Sequence, residues 1–202
     1  MIVTIKSKPR RIVSITAGSF IILLFWGALS SFGKIKGKYN VVKENTNKIT
    51  QPAEEMEWMV GISRRAITPT TDVWLAGYGT KRPVEAKLHD IWVKVLALKS
   101  KNGKRAVMVT TDNQGMSRTI YENLYKKVNE RFGLDRSEFM LTFSHNHSGP
   151  CLRGDLVDYY PADDGQRKLV DEYSDWMESR IIDAMDEALQ HMQPAQISKG
   201  EG

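Results

Sequence analysis

The chain has 202 residues, 41% of them hydrophobic, and a formal net charge of +5. That length suits one domain with a sizeable core plus an N-terminal appendage. Seven of the 29 lysines and arginines (Lys6, Lys8, Arg10, Arg11, Lys34, Lys36 and Lys38) lie in residues 1–38 with no acid among them, which leaves 22 basic against 24 acidic side chains after that point. The folded part therefore lacks the basic stripe that binds nucleic acid, and the one cysteine, Cys151, excludes an intrachain disulfide.

Between the two basic clusters, Ile12–Phe32 is 21 residues without a charge, enough for a helix of about 30 Å, the hydrocarbon thickness of a bilayer. The segment predicts a transmembrane anchor. It also has the basic start, apolar centre and small residues (Ala28–Ser31) of a cleavable signal peptide. Either way the following domain is exported: membrane-anchored in the periplasm or outside the cell, or secreted if the segment is cleaved. Residues 1–38 are thus read as a basic-flanked anchor or signal peptide, 39–57 as a polar linker, and 58–202 as the folded part.

The run from Trp58 to Thr68 is strand-like and stops at Pro69, and Gly77 and Gly79 flank Tyr78 in a loop. Asp90–Lys99 and the R-A-V-M-V-T-T-D that follows predict a β-hairpin, with Asn102-Gly103 suited to a type I′ turn because both of its central residues need positive φ. Ser117 caps a predicted helix in which Ile120, Leu124 and Val128 recur every four residues and Gly133 stands at the stop. S-E-F-M-L-T-F-S then runs extended into His145, completing a βαβ unit with parallel strands. Gly165–Met192 predicts a longer helix whose stripe of Leu169, Tyr173, Met177, Ile181, Met185, Leu189 and Met192 packs a core, and A-Q-I-S-K-G-E-G after Pro194 begins another strand. The fold class is α/β: a mixed sheet with a βαβ unit and two main helices, incomplete at its C-terminal edge.

Two of the four histidines stand in S-H-N-H-S-G-P, residues 144–150. In an open parallel sheet, ligands bind outside the carboxyl ends of the strands, where Asp112 ends one strand of the βαβ unit and His145 the next. If the segment is extended, His145 and His147 project to one side. Imidazole is the commonest protein ligand for metals such as zinc, and a zinc with one open position lowers the pKa of its water to about 7. On spacing alone the pair is open to three readings: a metal ligand, a metal-free catalytic histidine, or an ordinary polar loop. His191, in a last helical turn, and His89, at a strand start placed away from the crevice, are read as structural, and Cys151 as an inert thiol. The loop Leu152–Asp164, with Asp155, Asp158, Tyr159 and Tyr160, is read as solvated surface, with a role at substrate entry as the alternative.

S-H-N-H-S-G-P resembles the H-T-H-S-G-P signature of the neutral/alkaline, non-lysosomal ceramidases, and other stretches follow that family's order. G-I-S-R-R-A-I-T at 61–68 resembles its opening G-I-G-x-A-D-I-T, G-Y-G at 77–79 its glycine-tyrosine turn, and L-H-D-I-W-V-K-V-L-A-L at 88–98 its next strand. T-T-D-N-Q-G-M at 110–116 resembles its D-x-G-M stretch with one residue more, and the final S-K-G-E-G the start of a further strand. The resemblance covers residues 58–202. It implies the N-terminal part of a zinc-dependent hydrolase that splits the amide of an N-acylated sphingoid base into fatty acid and amine. It also implies a sphingolipid or related lipid amide as substrate, Zn2+ as cofactor, His145 as metal ligand, and His147 as the catalytic partner beside it. The chain departs from the family at Asn146, Ala66 and Cys151-Leu152. The family's other zinc ligands, a histidine, a glutamate and a tyrosine, and its active-site serine have no counterpart before Gly202, so the resemblance implies a fragment inactive by itself.

Overall fold

The computed structural model describes residues 2–7, 11–16, 58–77, 82–155 and 163–200. Seven strands form one sheet: β1 (Ile2–Ser7), β2 (Arg11–Thr16), β3 (Trp58–Ala66), β4 (Trp92–Ser100), β5 (Arg105–Thr111), β6 (Phe139–Phe143) and β7 (Gln193–Gly200). Their order across the sheet is β2-β1-β7-β3-β4-β5-β6. Helices α1 (Arg118–Phe132) and α2 (Asp164–Gln190) supply the second layer.

The βαβ unit forms as its pattern requires: β5 and β6 pair in parallel, Val107 opposite Phe139 through Thr111 opposite Phe143, with α1 between them in sequence. The Ser117 side chain accepts from the Ile120 N–H, and Gly133, at φ 59°, closes the other end of α1 in the left-handed conformation that glycine adopts without cost. Ile120, Leu124 and Val128 are fully buried, each worth about 1.5–3 kcal/mol of hydrophobic burial. Tyr173, Met177, Ile181 and Met185 of α2 join the same core with Val93, Val95, Val107 and Val109 from the sheet, and Leu169, Leu189 and Met192 pack at its margin. The long helix lies so close to β3 that a Cβ on Gly61 would stand 1.7 Å from the Ala188 carbonyl oxygen. Beside that contact the Ser63 hydroxyl donates to the Ala184 carbonyl at 2.6 Å.

The sheet is mixed, as expected: the β5/β6 pair is parallel and every other pairing is antiparallel. Three expectations are corrected. First, the turn between β4 and β5 is not type I′: Gly103 has φ 85°, whereas Asn102 is not at positive φ. The Gly103 N–H donates to the Ser100 carbonyl and the Ser100 N–H to the Lys104 carbonyl, both at 2.9 Å, the three-residue connection in which one glycine alone takes the left-handed position. Second, β7 is no open edge, since it pairs with β3 through Gln193–Ala195 and with β1 through Gln196–Gly200. Pro194 lies inside the strand, opposite Met59 of β3 and before the stretch that pairs with β1.

The third concerns the N-terminus. Ile12–Thr16, read as the start of a membrane-crossing helix, belongs to β2, paired to β1 with Val13 opposite Ile5. β-Branched residues fill this stretch, and they favour a strand over a helix. The rest of the proposed span, 17–32, and the linker 39–57 lie outside the described residues. Among the described residues no helix is long and apolar enough to cross a membrane.

Candidate functional site

Three separate stretches of chain meet at the tip of β5 and β6. The Ser144 N–H donates to the Thr111 carbonyl at 3.0 Å and the Asn146 N–H to the Asn113 carbonyl at 3.2 Å, tying the histidine loop to the loop after β5. On its other side, the Ala76 N–H donates to the Gly149 carbonyl at 2.8 Å and the Cys151 N–H to the Trp74 carbonyl at 2.7 Å. Gly149 sits where a Cβ would stand 3.2 Å from the Asp112 carbonyl oxygen, so a side chain there would need the two loops to shift by a few tenths of an ångström.

The two histidines converge, but not by strand alternation. His145 is in the left-handed conformation at φ 55°, the one described non-glycine residue with positive φ, a conformation that costs about 1–2 kcal/mol for an L side chain. Strain of this kind persists only where the surroundings hold it, and it clusters at functional sites. Here the holding group is a backbone carbonyl: His145 Nδ1 stands 2.8 Å from the Gln114 oxygen. A carbonyl only accepts, so the proton is on Nδ1 and Nε2 is left as the acceptor. The His147 Nε2 is 3.1 Å from that atom, and the two rings meet edge to face at a centroid distance of 4.8 Å. With the His145 proton on Nδ1, it is His147 that donates across this contact.

His147 is seated by residues that spacing does not reveal. A Cβ on Gly77, at φ 89°, would stand 2.7 Å from the His147 Cβ, so only glycine lets the imidazole pack there. The Arg82 guanidinium donates to the His147 carbonyl at 2.7 Å and to the Ala76 carbonyl at 3.3 Å, joining the two segments. Gly77 was legible as a loop glycine; nothing in the sequence pointed to Arg82 or to the Gln114 carbonyl.

Asp112 does lie beside the histidine loop, but its carboxylate accepts from the Trp92 N–H at 2.9 Å and faces the Lys94 ammonium at 3.5 Å. His89 is corrected in position: β4 runs antiparallel to β5, so the start of β4 lies at the histidine end of the sheet, with Val93 opposite Thr111. Its Nδ1 nevertheless contacts the Asp90 carbonyl at 3.0 Å, and among the described residues no three histidine, cysteine or acidic side chains gather to hold a metal. His191 caps α2, its Nδ1 2.9 Å from the Glu187 carbonyl. Burial pushes the Cys151 thiol up to about 11, with Asp155 adding to the shift, so it stays protonated and unreactive. Asp158, Tyr159 and Tyr160 lie outside the described residues.

The donor chemistry suits zinc. The unprotonated Nε2 of His145, backed by a carbonyl on Nδ1, is the arrangement that metal-ligating histidines share.

A crystal structure of the neutral ceramidase from Pseudomonas aeruginosa matches the chain with a TM-score of 0.59 and 19% identity over 70% of its residues. A ceramidase complexed with C2 matches with a TM-score of 0.57 and 20% identity over 69%. The fold is that of the neutral ceramidases. The chain spans 23% and 22% of the length of those two proteins. No protein-family model matches the chain, and no curated protein does. In this ceramidase-like fold the motifs around Gly77, Asp112 and His145 are not merely in order along the chain, since their backbones bond to one another.

Proposed function

We propose that the chain is the histidine-bearing part of a ceramidase-like amidohydrolase that cleaves the amide bond of a lipid, with N-acylsphingosine as the first substrate to test. The observation that carries this reading is the strained His145, whose Nδ1–H is bonded to the Gln114 carbonyl while its Nε2 faces His147. His145 would hold a zinc ion through Nε2. When bound, such an ion polarises a carbonyl and lowers the pKa of water. His147, beside it, carries a proton on Nε2 and would serve as a hydrogen-bond donor to negative charge developing on an amide oxygen. Arg82 and Gly77 keep that donor in place from the far side.

One imidazole ligand is fewer than the three protein ligands a catalytic zinc takes. The described residues therefore make an incomplete site, and the same shortage favours a second reading in which the chain is a non-catalytic α/β module. Zinc content by mass spectrometry, and fatty-acid release from a fluorescent N-acylsphingosine, separate the two when measured on this chain and on a ceramidase-length version. The expected result is weak zinc binding and no turnover for the 202 residues, and about one zinc with turnover for the longer protein. In the longer protein His145→Ala should abolish both; zinc content unchanged by that substitution removes His145 from the site. The uncharged run 17–32, outside the described residues, supports an exported enzyme, which fractionation of the producing cells tests directly.

A further inference from the structure

His147 owes its place to a short two-stranded ladder. Leu75 and Pro150 form an antiparallel bridge, and the hydrogen bonds from Ala76 to Gly149 and from Cys151 to Trp74 flank it. One strand runs on into Gly77 and the other starts just after His147, so the register between them decides whether the imidazole lands on the glycine. Trp74, Ala76 and Cys151 bury one small cluster here, but a ladder this short is marginal by itself and depends on what holds its ends.

Helix α2 anchors both strands. On the first, the Gln166 carboxamide accepts from the Trp74 N–H at 3.2 Å and donates to the Asp72 carbonyl at 2.9 Å. On the second the anchored residue is Arg153, six positions past His147. Its N–H donates to the buried Ser174 hydroxyl at 2.9 Å, and its carbonyl accepts at 2.8 Å from Ser117, the residue that caps α1. Its guanidinium reaches Asp175 at 2.7 Å and Glu178 at 3.1 Å. Gln166, Ser174 and Glu178 belong to one continuous helix, so α2 fixes how far apart the two anchors stand and, with that, the register of the ladder.

Glu178 is the unusual member of this set. Its side chain is 1% exposed, between the Arg153 guanidinium and the ammonium of Lys127 on α1, 2.6 Å away. A buried ion pair adds little net stability over apolar residues of the same size, because desolvation offsets the attraction. Charge-assisted bonds of this kind do impose one length and one direction. We propose that Arg153 is a positioning residue of the histidine site: clasped by Glu178, it sets the register of the ladder and so holds the His147 ring on Gly77 and against His145. The proposal takes from the function proposed above only that the two imidazoles act together. Its test reads ring geometry, so missing zinc or turnover would count against that function and not against this role.

The experiment measures, on the 202-residue chain, the NMR contacts of His147 with Gly77 and of the two imidazole rings with each other, together with the urea midpoint. Arg153→Met removes the charge from a side chain of similar length; it should weaken both contacts at least 3-fold, and Arg153→Lys should recover at least half of that loss. Because Arg153→Met leaves the buried Glu178 with one cation, a second variant removes the whole cluster: Lys127→Met, Arg153→Met and Glu178→Leu together. It should keep a midpoint near that of the wild type and still lose the contacts. Met177→Ala, which empties a fully buried core site, supplies the comparison, with a lower midpoint and both contacts intact. Wild-type contacts in Arg153→Met or in the triple variant would overturn the proposal. An equal loss of contacts in Met177→Ala would overturn it as well, and so would a triple variant that does not fold, since either result makes the cluster a matter of general stability.

Discussion

The helix-covered face of the sheet and the histidine loop at its tip are held together by different physics. The core is a crowd of interchangeable apolar contacts: Val93, Val95, Val107 and Val109 beneath Ile120, Leu124, Met177, Ile181 and Met185. Each is worth a few kcal/mol through area and packing. The loop depends instead on a few directional constraints at single positions, namely a left-handed His145, a carbonyl at Gln114, a glycine at 77 that leaves no room for a Cβ and one at 149 where a Cβ would fit tightly. Packing tolerates substitution of like for like; a constraint on one backbone position does not. Damage to the first region should therefore appear as lost stability, and damage to the second as lost geometry at little stability cost.

The contrast breaks most visibly at Gly61, where the core itself depends on one position. Gly61→Val should cost about 3 kcal/mol or more, by forcing α2 off the sheet, and a large fall in the denaturation midpoint measured in urea checks it. Met177→Ala, which empties a fully buried site, should cost about 2–5 kcal/mol by the same measurement, while leaving the His145 and His147 ring signals unshifted in NMR spectra. Gly77→Ala should do the reverse: a cost of about 1–2 kcal/mol from the positive φ, with a pronounced change in the His147 ring signals. His145→Gly should be neutral or stabilising by up to about 1 kcal/mol because it relieves the left-handed strain, while removing the donor. A stability loss of several kcal/mol in that variant would show that the loop belongs to the core after all.

The smallest effect concerns Cys151. Its folded pKa of about 11 lies above the thiol's ordinary 9.0. Burial of the neutral thiol thus contributes stability that is fully present below pH 9 and is lost as the pH rises toward 11, where the unfolded chain ionises first. Cys151→Ala should flatten the fall in stability between those values, and iodoacetamide should label the wild-type thiol slowly at pH 8.

Much of the core was legible because its signals are local. Ser117, Gly133 and the four-residue spacing between them define α1 through capping and periodicity alone, and the Tyr173–Met185 stripe does the same for α2. The candidate site was legible as a pair of histidines in a sequence resembling a known signature, but not as a geometry. Extended alternation was the wrong reason for their convergence, and His89 was assigned to the wrong end because an antiparallel β4 starts where β5 finishes. The N-terminal strands were hidden for a related reason: an uncharged β-branched run serves a membrane and a sheet equally well, and the choice depends on β7, nearly two hundred residues away.

Residue order alone determined the βαβ unit, the caps, the two helices and the identity of the two imidazoles, since each depends on neighbours within a few turns or on side-chain chemistry. Only the tertiary structure decided which nitrogen of His145 carries the proton, which glycine seats His147 and which backbone groups α2 anchors. Those properties arise from backbone groups brought together across long stretches of chain, and a backbone carbonyl looks the same in every sequence.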